Sequence, residues 1–155
     1  GQDDIIHLPI VEHKLSNFLL RKLNVPVLLR PDSKFTFHLQ EKQVLKALSS
    51  APDLIYSRSF PLSSAILANK LQRKLNIPWV MHLSDPWLHS PLHTFTKSMR
   101  RYHAYWERDC IQRASLITFT SEATIDVYRK HYPEFASKFR LSPNVFDPEE
   151  LPQAV

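Results

Sequence analysis

Residues 52–85, PDLIYSRSFPLSSAILANKLQRKLNIPWVMHLSD, decide the fold. Pro52 and Asp53 punctuate the entry to a short continuous apolar strand at 54–57. Pro61 suits the first turn of a helix, where its missing N–H costs nothing. Ser63 or Ser64 can cap that helix, and Ile66, Leu67, Leu71 and Leu75 form its apolar stripe. Asn76 and Pro78 end it, and WVMHL at 79–83 is the next strand. A strand, a helix long enough to cross over and a second strand make a βαβ unit.

The pattern repeats downstream. Residues 86–94 read as a loop with Pro86 and Pro91, and 95–113 as the longest helix, with Tyr102, Trp106 and Cys110 at i+4 spacing. SLITF at 115–119 is a strand. The helix of 120–132 follows at once, with Thr120 or Ser121 as cap and Glu122 in its positive first turn. FRLSP at 139–143 is the last strand. Upstream, 5–8 reads as a short strand, 14–23 as an amphipathic helix, 27–29 as a strand or buried turn, and 36–50 as helical. The strands at 54–57, 79–83, 116–119 and 139–142 are near-continuous apolar runs. Together with the crossover helices they predict an α/β fold, a three-layer Rossmann-like parallel sheet with helices on both faces.

Composition narrows the chemistry. The chain has 155 residues and a formal net charge of +5, and its single glycine is Gly1. Average usage would give about eleven glycines. No Gly-rich phosphate loop, G-x-G-x-x-G turn or G-x-S-x-G elbow can be written. One cysteine, Cys110, excludes an internal disulfide and a Cys-rich zinc site, and sits on a buried helical stripe as a core thiol. His89 and His93 are four apart, but Pro91 between them argues against a helical ligand pair, so no metal site is expected. Ser57, His82 and Asp85 can be written as a triad, yet the elbow and the oxyanion hole that would activate it are lacking. No apolar run reaches membrane-span length, and the expected compartment is the cytoplasm.

In open parallel α/β sheets the binding crevice lies at the carboxyl ends of the strands. That edge collects Ser57, Arg58 and Ser59, then His82, Ser84, Asp85 and Trp87, then Thr120, Ser121 and Glu122, then Asn144 and Asp147. Two helix N-termini, near 61 and 121, aim at it and favour carboxylates and phosphates. Each residue also has a plainer reading. Thr120, Ser121 and Ser63 serve as caps, Asp85 before Pro86 forms an Asx turn, and His82 serves as a core histidine. Arg100, Arg101, Arg108 and Arg113, with Lys97 and His103, load the long helix opposite Tyr102, Tyr105 and Trp106. Such a helix can touch an anionic membrane or be a solvated face. No nucleic-acid motif accompanies the charge, so no nucleic-acid partner is expected.

The ordered set PDLIYSRSFPLSSAILANKL, NIPWVMHLSDPW, RASLITFTSEATIDVYRKHY and FRLSPNVFD resembles the amino-terminal domain of a retaining GT-B glycosyltransferase of the family-4 type. That type includes bacterial transferases of polysaccharide biosynthesis and of lipid-linked sugars. The resemblance implies that this domain faces a second, carboxyl-terminal domain across a cleft. The first holds mainly the acceptor and the second most of the nucleotide-sugar donor, and transfer needs no metal or other cofactor. His82 and Asp85 in HLSDPW fall on cleft-facing positions, with Ser84 where many members carry Arg. Thr120, Ser121 and Glu122 match the family's Ser-Glu turn. PNVFD matches the hinge, with Val145 in place of its Gly.

On this resemblance the expected arrangement is a domain over 1–147 and a linker over 148–155 towards a donor-binding domain. The first strand and its Gly-rich loop are expected to be absent. The function implied is sugar transfer to a glycan or lipid-linked acceptor, with this chain inactive alone and holding no catalytic residue. His82, Asp85, Arg58, Ser59, Ser121 and Glu122 are the expected substrate-binding residues. The strand at 54–57 then has a free edge through which a homodimer can form, and peripheral membrane contact is a further expected partnership. The alternative is a stand-alone α/β module that binds a ligand or protein without catalysis.

Overall fold

The structure is a computed structural model that describes residues 31–32, 34–90 and 94–145. The strand at 5–8, the helix at 14–23, the segment at 27–29, His93, Asp147 and the linker at 148–155 lie outside the described residues.

Four strands form one parallel sheet in sequential order: β1 (Ile55–Ser59), β2 (Trp79–Leu83), β3 (Leu116–Phe119) and β4 (Phe139–Leu141). Tyr56 pairs with Val80, Arg58 with His82, His82 with Thr118 and Thr118 with Arg140. The helices are α1 (Glu41–Ala47), α2 (Leu62–Leu75), α3 (Lys97–Arg113) and α4 (Glu122–His131). Short 3₁₀ turns cover Phe35–Leu39 and Pro133–Lys138. The single helix read over 36–50 is therefore two pieces, broken at Gln40 (φ −89°, ψ 14°). Thr36, Phe37 and His38 are weak helix formers, and the tighter 3₁₀ turn carries His38 into a buried position.

A sheet whose order never reverses sends every right-handed crossover to the same side. The core shows this: Ala65 and Ile66 of α2, Cys110 and Ile111 of α3, and Ile125 and Tyr128 of α4 form one cluster. That cluster includes Trp79, Met81, Leu83, Ile117, Phe119 and Phe139 from one face of the sheet. The helices α2, α3 and α4 thus form one layer. On the other face Tyr56 and Arg58 are exposed, and Val80, Leu116 and Thr118 are half-buried. The Rossmann-like parallel sheet is as expected. The strands β1 and β3, however, alternate between buried and more open residues instead of being buried on both sides.

Two local readings are corrected. Neither Ser63 nor Ser64 caps α2. Its N-cap is Pro61, which has no side-chain acceptor, and the Asp32 carboxylate supplies one from 31 residues upstream. Asp32 Oδ2 accepts from the Ser63 N–H at 2.8 Å, and Oδ1 accepts from the Ser63 hydroxyl at 3.2 Å. The Ser64 hydroxyl turns back instead onto the carbonyls of Arg58 and Pro61. At the far end Asn76 closes the helix in the left-handed region (φ 52°), a conformation Asn tolerates.

The buried stripe of α3 is the second correction. It is His103, Glu107, Cys110 and Ile111, whereas Tyr102 and Trp106 are only half-buried. His103 therefore does not belong to the basic outer face. Its Nδ1 accepts from the Trp87 indole N–H at 2.9 Å inside the core. Periodicity in apolar residues misses a stripe built partly of hydrogen-bonded polar groups.

Candidate functional site

The carboxyl end of the sheet carries an open cleft of about 360 Å³ lined by Tyr56, Arg58, His82, Ser142, Pro143, Asn144 and Val145. Parallel pairing places Arg58 and His82 on adjacent strands in direct register, about 4.8 Å apart along the hydrogen-bonding direction. Tyr56 lies two residues before Arg58 and so on the same face. Its ring stacks near His82, with centroids 6.4 Å apart and planes at 27°. The chain beyond β4 closes the cleft from the other side.

His82 is 5% exposed, and its Nδ1 is 2.9 Å from Thr118 Oγ1, its register partner on β3. Burial lowers its pKa, and the charge of Arg58 lowers it further. Both effects favour the neutral ring, which offers one donor and one acceptor nitrogen. Arg58 supplies a planar, always-charged fork suited to phosphate or carboxylate. Tyr56 offers an exposed aromatic face. No carboxylate lines the cleft, and no metal-holding cluster exists among the described residues. The arrangement suits an anionic, hydroxyl-bearing molecule. Among the described residues the lining pairs no carboxylate with the His82 imidazole.

The loop that follows β2 is held from behind. The Glu107 carboxylate is fully buried and accepts three hydrogen bonds, from the Leu88 N–H at 3.1 Å, the Tyr128 hydroxyl at 2.6 Å and the Tyr132 hydroxyl at 2.7 Å. Tyr128 also accepts from the Trp87 N–H at 2.9 Å. Burial raises the pKa of Glu107, against the opposing pull of those donors. The turn after His82 is thereby tied to α3 and α4.

Of the six residues expected at the site, Arg58 and His82 come together in the cleft. Ser59 is fully buried, on the helix-covered side of β1. Asp85 is exposed and does not line the cleft. Ser121 is the N-cap of α4, accepting from the Thr124 N–H at 3.3 Å, which is the plainer of its two readings. Glu122 is exposed and lies 3.8 Å from Arg129. Thr120 bonds to the Ser84 carbonyl at 2.8 Å. Tyr56 and Ser142 were missed. The two-residue period of β1 points to Tyr56 once Arg58 is placed.

A parallel Rossmann-like sheet with a polar cleft at its carboxyl edge, continued past β4 by Pro143 and Asn144, places the chain among open α/β domains that bind ligands at their strand ends. The sequence matches the family model described as Glycosyltransferase Family 4 over residues 10–150, and the chain belongs to that family. A search of curated proteins finds no match. No helix among the described residues is long and apolar enough to cross a membrane.

Proposed function

We propose that this chain is the acceptor-side module of a retaining sugar transferase that moves a hexose from a nucleotide-sugar to a glycan or lipid-linked acceptor. The observation that carries this reading is the register pair Arg58–His82 in the cleft. One fixed cation and one neutral imidazole can hold an acceptor phosphate or carboxylate while a hydroxyl is oriented for attack. The contribution is positioning, and the donor side is supplied by a second domain. Alone, the module transfers nothing, and neither metal nor cofactor takes part. Polysaccharide or lipid-linked glycan synthesis at the cytoplasmic side of a bacterial membrane is the setting that suits it.

The test is binding and transfer with the purified chain. A panel of short glycans and short-chain polyprenyl-pyrophosphate sugars is titrated, with nucleotide-sugars in parallel. Acceptor binding weakened by Arg58→Ala, with no transfer, supports the proposal. Transfer by the chain alone overturns its inactivity. Nucleotide-sugar binding without acceptor binding overturns the acceptor-side role, and binding of neither leaves the plain α/β binding module as the better description.

A further inference from the structure

The loop that carries Trp87 and Leu88 ends in a face-to-face pair of imidazoles. His89 lies flat on His131 of α4, with ring centroids 3.6 Å apart and planes at 11°. His89 is half-buried and edge-on to Tyr128 and Tyr132 at 6.4 Å each, and His131 is exposed. Among the described residues neither imidazole has an ion-pair partner.

The groups around the pair offer it no counter-charge. On α4, Arg129 and Lys130 precede His131 in the last turn, and Arg129 is drawn to Glu122 and Asp126. Tyr128 and Tyr132 donate their hydroxyls to Glu107. From α3, the charge of Arg100 bears on His89. His103 of the same helix accepts from the Trp87 indole, and the Glu107 carboxylate is taken up by the two tyrosines and the Leu88 N–H. In the loop itself Asp85 is exposed. Burial, then the charges of His131 and Arg100, lower the pKa of His89.

We propose that the His89–His131 stack is an acid-sensitive latch on the loop after β2, closed while the pair carries at most one proton and released when both rings are charged. Two imidazole faces pack as an aromatic pair while at most one is charged. His131 takes the first proton, being exposed and at the negative end of the α4 dipole. A second proton, on His89, sets two like charges 3.6 Å apart in a half-buried place, and Arg100 adds to the repulsion. Swinging His89 into water relieves both costs. Two hydrogen bonds next to it mark the closed loop: Trp87 N–H to the Tyr128 hydroxyl at 2.9 Å and Leu88 N–H to Glu107 at 3.1 Å. The loop leaves the strand that carries His82, so its release loosens the edge on which the cleft lies. The latch does not depend on sugar transfer.

The experiment is residue-resolved hydrogen exchange by NMR from about pH 7 to about pH 5, the range in which histidine titrates, corrected for the intrinsic rate at each pH. The reporters are the Trp87 and Leu88 amides, and amides of β2 and β3 report global unfolding alongside. The open loop binds one more proton than the closed one. Its opening constant should therefore rise up to about ten-fold per pH unit below about pH 6.5, and the strand amides should not follow. His89→Phe keeps the aromatic contact and cannot be charged, so the rise should disappear. His131→Phe leaves burial and Arg100 alone to oppose the His89 proton, so the rise should begin at higher pH than in the wild type. Strand amides protected as in the wild type show that each variant is folded. Parallel rises in the wild type and His89→Phe would assign the acid opening to Glu107, whose protonation also loosens the Leu88 bond, and would overturn the latch. Loop protection that does not change with pH, strand amides that open together with the loop, or a His131→Phe curve that overlays the wild type would each overturn it as well.

Discussion

Glu107 on α3 accepts the Tyr128 hydroxyl of α4 at 2.6 Å in the fully buried core. The same carboxylate holds the Tyr132 hydroxyl and the Leu88 N–H, so one side chain joins two helices to the loop beyond His82. Replacing it by Leu leaves three buried donors without an acceptor, each worth about 1–3 kcal/mol. Glu107→Leu is expected to lose about 3–5 kcal/mol in urea unfolding, and Tyr128→Phe about 1–2 kcal/mol. A loss below about 1 kcal/mol for Glu107→Leu would show that the network does not hold the loop.

Asp32 caps α2 across 31 residues of sequence through the Ser63 N–H. Asp32→Ala should cost about 1–2 kcal/mol, the usual range for a lost N-cap, and Asp32→Asn should restore part of it. Unchanged unfolding midpoints in both variants would show that the cap contributes nothing.

The Lys138 ammonium closes the other end of a helix. It donates to the carbonyls of Ile111 at 3.3 Å, Gln112 at 2.7 Å and Ala114 at 2.8 Å, at the C-terminus of α3. A cation there satisfies orphan carbonyls and suits the negative end of the dipole. Lys138→Met keeps the apolar stem and should still lose about 1–2 kcal/mol. Hydrogen exchange should report the loss as fraying of the last turn of α3.

Much of this was legible in the sequence, and the illegible part has a common cause. The four strands, three crossover helices and the Ser121 cap follow from apolar runs and local punctuation. Arg58 and His82 follow from the rule that ligands bind at strand ends. What escaped depends on contacts distant in sequence. Asp32 gives no local sign that it caps Ser63. Glu107 and His103 look like surface residues until their partners on the loop and on α4 are known. Asp85 and Glu122 sit at the right strand ends, yet both are exposed and outside the cleft lining, because position along a strand does not set side-chain direction beyond it.

His38 makes stability depend on pH. Burial, and then the charge of Lys70, lower its pKa to about 4, against a pull upward from the Phe35 backbone. The unfolded chain therefore binds this proton near pH 6.5, where the folded protein does not. The contribution is fully present above that value and is lost as pH falls towards 4. It amounts to about 1–2 kcal/mol, less than the full shift because the ring is partly solvated. Unfolding free energies of the wild type and His38→Gln should converge as pH drops from 7 to 4. Parallel curves would remove His38 as the source.

Arg58 and His82 share the cleft, so each reports on the other. The Arg58 charge is the second cause, after burial, of the lowered His82 pKa. Arg58→Ala should therefore move the His82 titration upward, and Arg58→Lys should move it less, as read from the imidazole proton shifts by NMR. The same Arg58→Ala change removes the one fixed cation that the described residues give the lining and should weaken binding of phosphate-bearing acceptors about 10–100-fold, the range for a charge-assisted hydrogen bond of about 1.5–3 kcal/mol. Neutral glycans should be affected little. An upward shift of His82 without any loss of acceptor binding would keep the geometry of the cleft and move the acceptor elsewhere. Loss of binding for neutral and anionic acceptors alike would mean that Arg58 shapes the cleft and does not read charge.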